Sequence, residues 1–213
     1  MRKLDSDSPV EALSALKRFA QTRPQVERCE LCSAPLEPLH QHLLDRKSKQ
    51  IACACAACSI LFCDQDCGKF LRVPREVLQL HDFAFTDLQW EEMMLPINLA
   101  FFYRNEEGCM TAIYPSPAGA IESQINFERW NEQWRAHRRL IAMQPEVEAL
   151  IVNRVGTEPM YFVAPIDECY RLTGVIRTRW RGLSGGTDVW VAITEFFQDL
   201  KRKAGGASEV RHA

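Results

Sequence analysis

The sequence predicts an α+β protein: a small zinc-ribbon-like four-cysteine module followed by an α+β domain of antiparallel hairpins and packed helices. Three observations predict it. Of nine cysteines, seven (Cys29, Cys32, Cys53, Cys55, Cys58, Cys63 and Cys67) fall in one short stretch. Beyond Pro96, short runs rich in β-branched and aromatic residues come in pairs separated by turn residues. Helical periodicity then fills the gaps between pairs, without the regular strand–helix alternation of a doubly wound sheet. A chain of 213 residues accommodates one ordinary domain plus a small module and can bury a core without staples.

Taken in order, Ser8-Pro9-Val10-Glu11 has the form of a capping box with proline at the first helical position. Leu13, Leu16 and Ala20 follow at helical spacing, and Pro24 lies past the end. His42-Leu43-Leu44, the polar turn Asp45-Arg46-Lys47-Ser48-Lys49, and Ile51 to Cys53 read as a hairpin. After Val73-Pro74 a connecting stretch leads to a short helix from Asp87 to Met94, stopped near Pro96. Ile97 to Tyr103 and Met110 to Tyr114 read as strands around the turn Asn105-Glu106-Glu107-Gly108, and Pro115-Ser116-Pro117-Ala118-Gly119 ends that hairpin. Phe127, Trp130, Trp134 and Ile141 mark the buried face of a helix whose other face carries Arg135, Arg138 and Arg139.

Ala149 to Asn153 and Met160 to Val163 form the next pair of strands. A helix begins near Pro165, groups Ile166, Cys169, Tyr170 and Thr173, and stops by Gly182. The last helix starts at Thr187-Asp188 and carries the stripe Val189, Ile193, Phe196, Phe197 and Leu200. Lys201, Arg202 and Lys203 suit its carboxyl end before Gly205-Gly206. The expected organisation is an N-terminal helix over 1–27, the metal module over 28–68, the α+β domain over 69–203, and a disordered tail over 204–213.

Cys29-Glu30-Leu31-Cys32 and Cys55-Ala56-Ala57-Cys58 are two CxxC pairs. A tight turn after the first thiolate lets both sulfurs of a pair face one ion, and two such turns complete a tetrahedron of soft ligands. Cys29, Cys32, Cys55 and Cys58 are therefore the expected metal ligands. Zinc is the expected metal, and an iron–sulfur cluster is its rival because four thiolates serve either. Cys53 makes the second pair a CxCxxC. In an extended strand it shares a face with Cys55, so it could replace Cys55, bridge, or be a small buried side chain. His40 and His42 are the nearest alternative ligands, with a surface or hairpin histidine as the commoner reading. Cys63 and Cys67 are too few for a second complete site and read as ordinary thiols or a transient redox pair.

The net charge of −2 and isoelectric point near 6.2 give no global pull towards nucleic acid or anionic membrane. The start MRKLDSDSPVEAL lacks the apolar stretch of a signal peptide. No segment reaches the apolar length that spans a bilayer. The expectation is a cytoplasmic protein without membrane insertion. Clustered cysteines in a reducing compartment point to metal before disulfides. No catalytic constellation assembles: His81-Asp82 lacks a paired nucleophile, and Trp180 with Arg177, Arg179 and Arg181 reads as a solvated helix end. The stiff segment Tyr114–Gly119 is a candidate partner-binding surface.

With these residues assembled, the chain resembles an uncharacterised family encoded beside actinobacterial-type nickel–iron hydrogenases. The resemblance runs from about Arg28 to Leu200. It rests on Glu27-Arg28-Cys29-Glu30-Leu31-Cys32, Cys53-Ala54-Cys55-Ala56-Ala57-Cys58 with Leu61-Phe62, and Arg72-Val73-Pro74. It continues through Phe101-Phe102, Tyr114–Gly119, Glu148-Ala149-Leu150, Pro165-Ile166-Asp167 with Cys169-Tyr170, Trp180-Arg181-Gly182 and Trp190. Cys63 and Cys67 stand outside the resemblance. It implies a metal-binding accessory role in hydrogenase assembly, maturation or partner docking, with hydrogenase subunits or maturation factors as protein partners and no assigned catalysis. Two alternatives accompany it: a zinc-ribbon nucleic-acid-binding regulator, and a thiol redox or iron–sulfur protein. Glu27, Glu30, Glu37, Asp45, Asp64 and Asp66 in the metal module disfavour nucleic acid.

Overall fold

The paired apolar runs beyond Pro96 fold as the middle of a six-stranded antiparallel sheet. The computed structural model describes residues 26–63, 68–123 and 131–209. The helix expected over the first residues, Cys67, Phe127, Trp130 and the last four residues lie outside that set. In chain order the sheet strands are β4 (Leu78–Gln79), β5 (Leu99–Arg104), β6 (Met110–Ser116), β7 (Gly119–Ser123), β8 (Glu148–Asn153) and β9 (Met160–Pro165). Their spatial order is β4-β9-β8-β5-β6-β7, every pair antiparallel.

The central strands are apolar at both parities, and both faces of the sheet are covered accordingly. Phe101, Ile151 and Phe162 face one layer, built from α5 (Ile166–Arg179) and α6 (Gly186–Glu209). Phe102, Val152 and Tyr161 face the other, where Phe83, Phe85, Trp90, Trp134 and Leu140 form an aromatic-rich core. That second layer includes α2 (Asp87–Glu92), α3 (Asn131–Ala136) and α4 (Arg138–Ile141). The helix α2 starts where its sequence dictates: Thr86 Oγ1 accepts from the Gln89 amide at 3.2 Å, and Gln89 Oε1 accepts from the Thr86 amide at 2.8 Å. This reciprocal pair satisfies two amides that the helix itself cannot.

A second, three-stranded sheet holds the four-cysteine module, in the order β2-β1-β3. Its strands are β1 (Gln41–Asp45), β2 (Ile51–Ala54) and β3 (Phe70–Arg72), with α1 (Ala56–Leu61) following β2. Alternation along β1 divides the work. Leu43 packs with Phe70, Cys29 and Cys58, whereas Leu44 joins the core of the large sheet together with Ile51 and Leu71. Polar ties cross the same boundary: the Tyr170 hydroxyl donates to the Lys49 carbonyl at 3.0 Å, and Lys49 Nζ meets the buried Glu146 at 3.0 Å.

Two expectations are corrected. The helix expected through Ile141 breaks at His137, whose extended backbone caps α4 without a side-chain bond. The break shifts the buried register, so Leu140 is fully buried and Ile141 is exposed. The last helix does not end before Gly205-Gly206 but runs to Glu209. Glycine in a helix costs about 1 kcal/mol relative to alanine, a bias that unbroken backbone hydrogen bonding overrides here. No helix among the described residues is long and apolar enough to cross a membrane.

Candidate functional site

The two CxxC pairs reach one point by different local structures. Around the first, the Cys29 amide donates to the Ala34 carbonyl at 2.8 Å and the Ser33 amide to the Cys29 carbonyl at 2.7 Å. The turn closes because Ser33 adopts a φ of 61°. The second pair is not another free turn. Cys55 is the N-cap of α1, in extended conformation, and its Sγ accepts from the Cys58 amide at 3.5 Å. A two-residue gap serves both cases, since an N-cap and its third helical residue lie on the same side of the first turn. Glu30 straps the two together: its amide donates to the Cys53 carbonyl at 2.9 Å, and its carboxylate accepts from the Cys53 amide at 2.8 Å.

The sulfurs of Cys29, Cys32, Cys55 and Cys58 lie within 4.8 Å of one another, a group able to hold a metal ion. Cys32 and Cys55 Sγ stand 3.7 Å apart. Sulfurs at the usual zinc–thiolate length sit about 3.8 Å apart in a regular tetrahedron, so the cluster has the dimensions of a single four-coordinate ion. Cys29 and Cys58 are buried, Cys55 is half-buried and Cys32 is exposed.

Electrostatics make the four thiols interdependent. Burial opposes ionisation of Cys29, but the amides of Cys55, Cys32 and Leu31 aimed at its sulfur prevail and bring it to about 6. Cys58 is pushed up to about 12, first by burial and then by the sulfurs of Cys32, Cys55 and Cys29. Cys32 is raised as well: the Ala34 amide and Cys58 pull it down, but the Cys29 and Cys55 sulfurs with burial outweigh that pull. One negative charge is therefore welcome in the cluster and further ones repel, the condition that a divalent cation relieves.

The remaining candidates separate from this group. Cys53 does not replace Cys55, because β2 ends at Ala54 and the chain turns into the α1 cap. Its side chain instead joins His40 and His42. Cys63 is half-buried beside the module core, its thiol raised by burial with Arg72 only partly offsetting. Cys169 is on the buried face of α5 and raised well above the ordinary thiol range by desolvation. Asp82 accepts from His137 Nε2 at 3.1 Å, which lowers its carboxyl and makes it a structural pair.

A cleft of about 460 Å³ collects motifs that are far apart in sequence: Tyr114 to Pro117, Ile97, Trp180 and Trp190 line it. Pro117 and Ala118 form the two-residue turn between β6 and β7. Trp180 and Trp190 pack as a tilted pair with centroids 6.2 Å apart, and their indole N–H groups donate to the Gly182 and Ser184 carbonyls at 2.9 and 3.1 Å. Sequence reasoning missed this meeting because no periodicity links a hairpin tip to two helix ends. Gly185 sets the corner, with φ 87° and space only for hydrogen: a Cβ there would lie 2.8 Å from Val189 Cγ1 and 3.2 Å from the Trp180 ring. Gly185→Ala is expected to cost about 1–3 kcal/mol and to push the tryptophan pair apart. A lowered denaturant midpoint with red-shifted indole emission checks this, and an unmoved midpoint refutes it.

No curated protein and no solved structure matches the chain. The sequence profile of a family of unknown function (DUF5947) matches residues 28–204, a span that takes in both the four-cysteine module and the large sheet with its cleft. The chain belongs to that family.

Proposed function

We propose that this chain is a zinc-stabilised accessory protein that binds another protein, with the four-cysteine site as a structural element and the apolar cleft as the contact. The zinc assignment is supported by an all-sulfur donor set at single-ion spacing. A polynuclear iron–sulfur cluster would hold its thiolates further apart, with iron and sulfide between them. Four protein ligands leave no position for water, so such an ion holds structure and does no chemistry.

The observation that carries the binding role is the convergence of Pro115–Pro117, Trp180 and Trp190 on one apolar cleft. Aromatic residues and a rigid turn make a contact surface that loses little conformational entropy on binding. The client class is a nickel–iron hydrogenase subunit or maturation factor, a proposal that rests on the resemblance of the quoted motifs. Deletion of the gene tests it alongside elemental analysis of the purified protein. The expected results are a colourless protein with stoichiometric zinc, and lower hydrogenase activity with unchanged hydrogenase transcript. Brown protein with iron and sulfide would replace the zinc. Reduced transcript would favour the nucleic-acid-binding regulator, and unchanged activity and subunit processing would remove the hydrogenase role.

A further inference from the structure

The face of the small sheet opposite the four sulfurs carries its own group of metal-binding side chains. His42 on β1 and Cys53 on β2 are direct cross-strand partners, so their side chains emerge together from one face. His40 precedes His42 by two residues, and the rings meet edge-on with centroids 5.1 Å apart. One ligand atom from each of His40, His42 and Cys53 lies within 4.8 Å of the others.

The hydrogen bonding of the histidines prepares their free nitrogens. His42 Nδ1 is 2.6 Å from Asp167 Oδ2, on the first turn of α5. That carboxylate fixes the proton on Nδ1 and leaves the Nε2 lone pair open. His40 Nδ1 bonds the Glu37 carbonyl at 2.9 Å and lies 3.5 Å from Glu27 Oε2. The His40 side chain is only 8% exposed, yet its Nε2 is buried without a hydrogen-bond partner. A buried ring nitrogen is ordinarily satisfied; one left open beside a second imidazole and a thiol is accounted for by a ligand. Carbonyl or carboxylate support behind each imidazole is the outer-shell arrangement that orients metal-bound histidines. Glu27 and Glu30 act on Cys53, and Glu27 also on His42, adding negative charge around the group, with Arg75 opposing it at His42.

We propose that His40, His42 and Cys53 form a second metal site, for a borderline divalent transition ion such as Zn²⁺, with its fourth position open. Two imidazoles and one thiolate are a donor set that such ions accept. Binding displaces the Cys53 proton to solvent. The open position points outward, since the His42 side chain is 35% exposed and Cys53 half-exposed. Unlike the four-sulfur site, this one can take water, an anion or a side chain of a docked protein. It also lies at the seam between module and domain, because Asp167 belongs to α5, so occupancy tightens the docking of the two.

The test is titration of the metal-depleted, reduced full chain with Zn²⁺, repeated with Co²⁺ so that ligand-field and thiolate charge-transfer bands report each site. The expected result is a second equivalent with weaker affinity and a mixed nitrogen–sulfur spectrum. Cys53→Ser and His40→Gln should each remove that second equivalent and leave the tetrathiolate spectrum of the first. Asp167→Asn, which removes a positioning group, should weaken the second equivalent roughly 10–100-fold. Saturation at one equivalent in the wild-type chain overturns the proposal, as does a second equivalent that survives both ligand substitutions. Loss of the tetrathiolate spectrum in Cys53→Ser also overturns it, by assigning Cys53 to the other site. Failure of the four-cysteine reading would look different: no tetrathiolate spectrum in the wild type, with any bound ion still lost on His40→Gln.

Discussion

Cys29→Ser is expected to release the ion from the four-cysteine cluster and to unfold residues 28–63 while the large sheet survives. Cys29 is 1% exposed and belongs to a core of five buried residues among those described, with Leu43, Ala54, Cys58 and Phe70. So short a segment cannot stabilise itself by apolar burial. On the proposed zinc reading its folding free energy comes from the ion, and a structural zinc site supplies about 10–16 kcal/mol in small zinc-dependent peptides. Replacing the buried thiolate leaves three ligands and an uncompensated polar hydroxyl among apolar neighbours.

The large sheet keeps two cores of its own, but it loses the cover of the buried Leu44 and the partly buried Ile51. At about 1.5–3 kcal/mol for a fully buried side chain and less for a partly buried one, the remainder should unfold at a lower denaturant concentration and expose an apolar face. Elemental analysis with amide hydrogen exchange checks this. The expected pattern is zinc lost, protection lost across β1 and β2, and protection kept in β8 and β9. Retained zinc with unchanged exchange would mean that Cys29 is not a required ligand. Loss of cooperative unfolding throughout would mean that the two sheets form a single folding unit.

The hairpin around Asp45–Lys49 was legible because its turn is polar and its flanks apolar; Asp45 Oδ1 accepts from the amides of Lys47 and Ser48, both at 2.9 Å. The stripe of α6 was legible for a similar reason, as Val189, Ile193, Phe196, Phe197 and Leu200 repeat at helical spacing and are all buried. By contrast, β3 and β4 are three and two residues long, too short to show any period. They exist because β1 and β9 offer them an edge. Extended-strand parity put Cys53 and Cys55 on one face, but it fails where the strand ends, and a single residue separates β2 from α1. His42 reads as an ordinary hairpin histidine because its distinguishing partner, Asp167, is 125 residues away. No local pattern contains that contact. Trp134 kept its expected burial where Ile141 did not, since only the latter lies past the break at His137.

The complementary substitution is Phe162→Ala, expected to cost about 3–5 kcal/mol. Phe162 is fully buried at the middle of β9, opposite Gln79 on β4 and Ile151 on β8. Its ring lies 6.2 Å from that of Phe197 and so joins the sheet to α6. Truncation removes the transfer free energy of the ring and leaves a cavity walled by a strand and a helix that cannot close on each other. Against a typical total of 5–15 kcal/mol, about a fifth or more of the stability goes, a fall in melting temperature of roughly 6–20 °C. Trp190 and Ile193 ride on α6, so partner binding at the cleft should weaken as the helix loosens. The four-cysteine cluster draws on none of these contacts, and its ion content under native conditions should stay unchanged. Val191→Ala, at an exposed position of the same helix, should move stability by no more than about 0.5 kcal/mol. Thermal unfolding of both variants with parallel metal analysis gives the answer. A Phe162→Ala loss below about 1 kcal/mol would show that β9 and α6 are not packed as described. Loss of the ion in that variant would show that the metal module depends on the large sheet for its fold, reversing the order of dependence expected from Cys29→Ser.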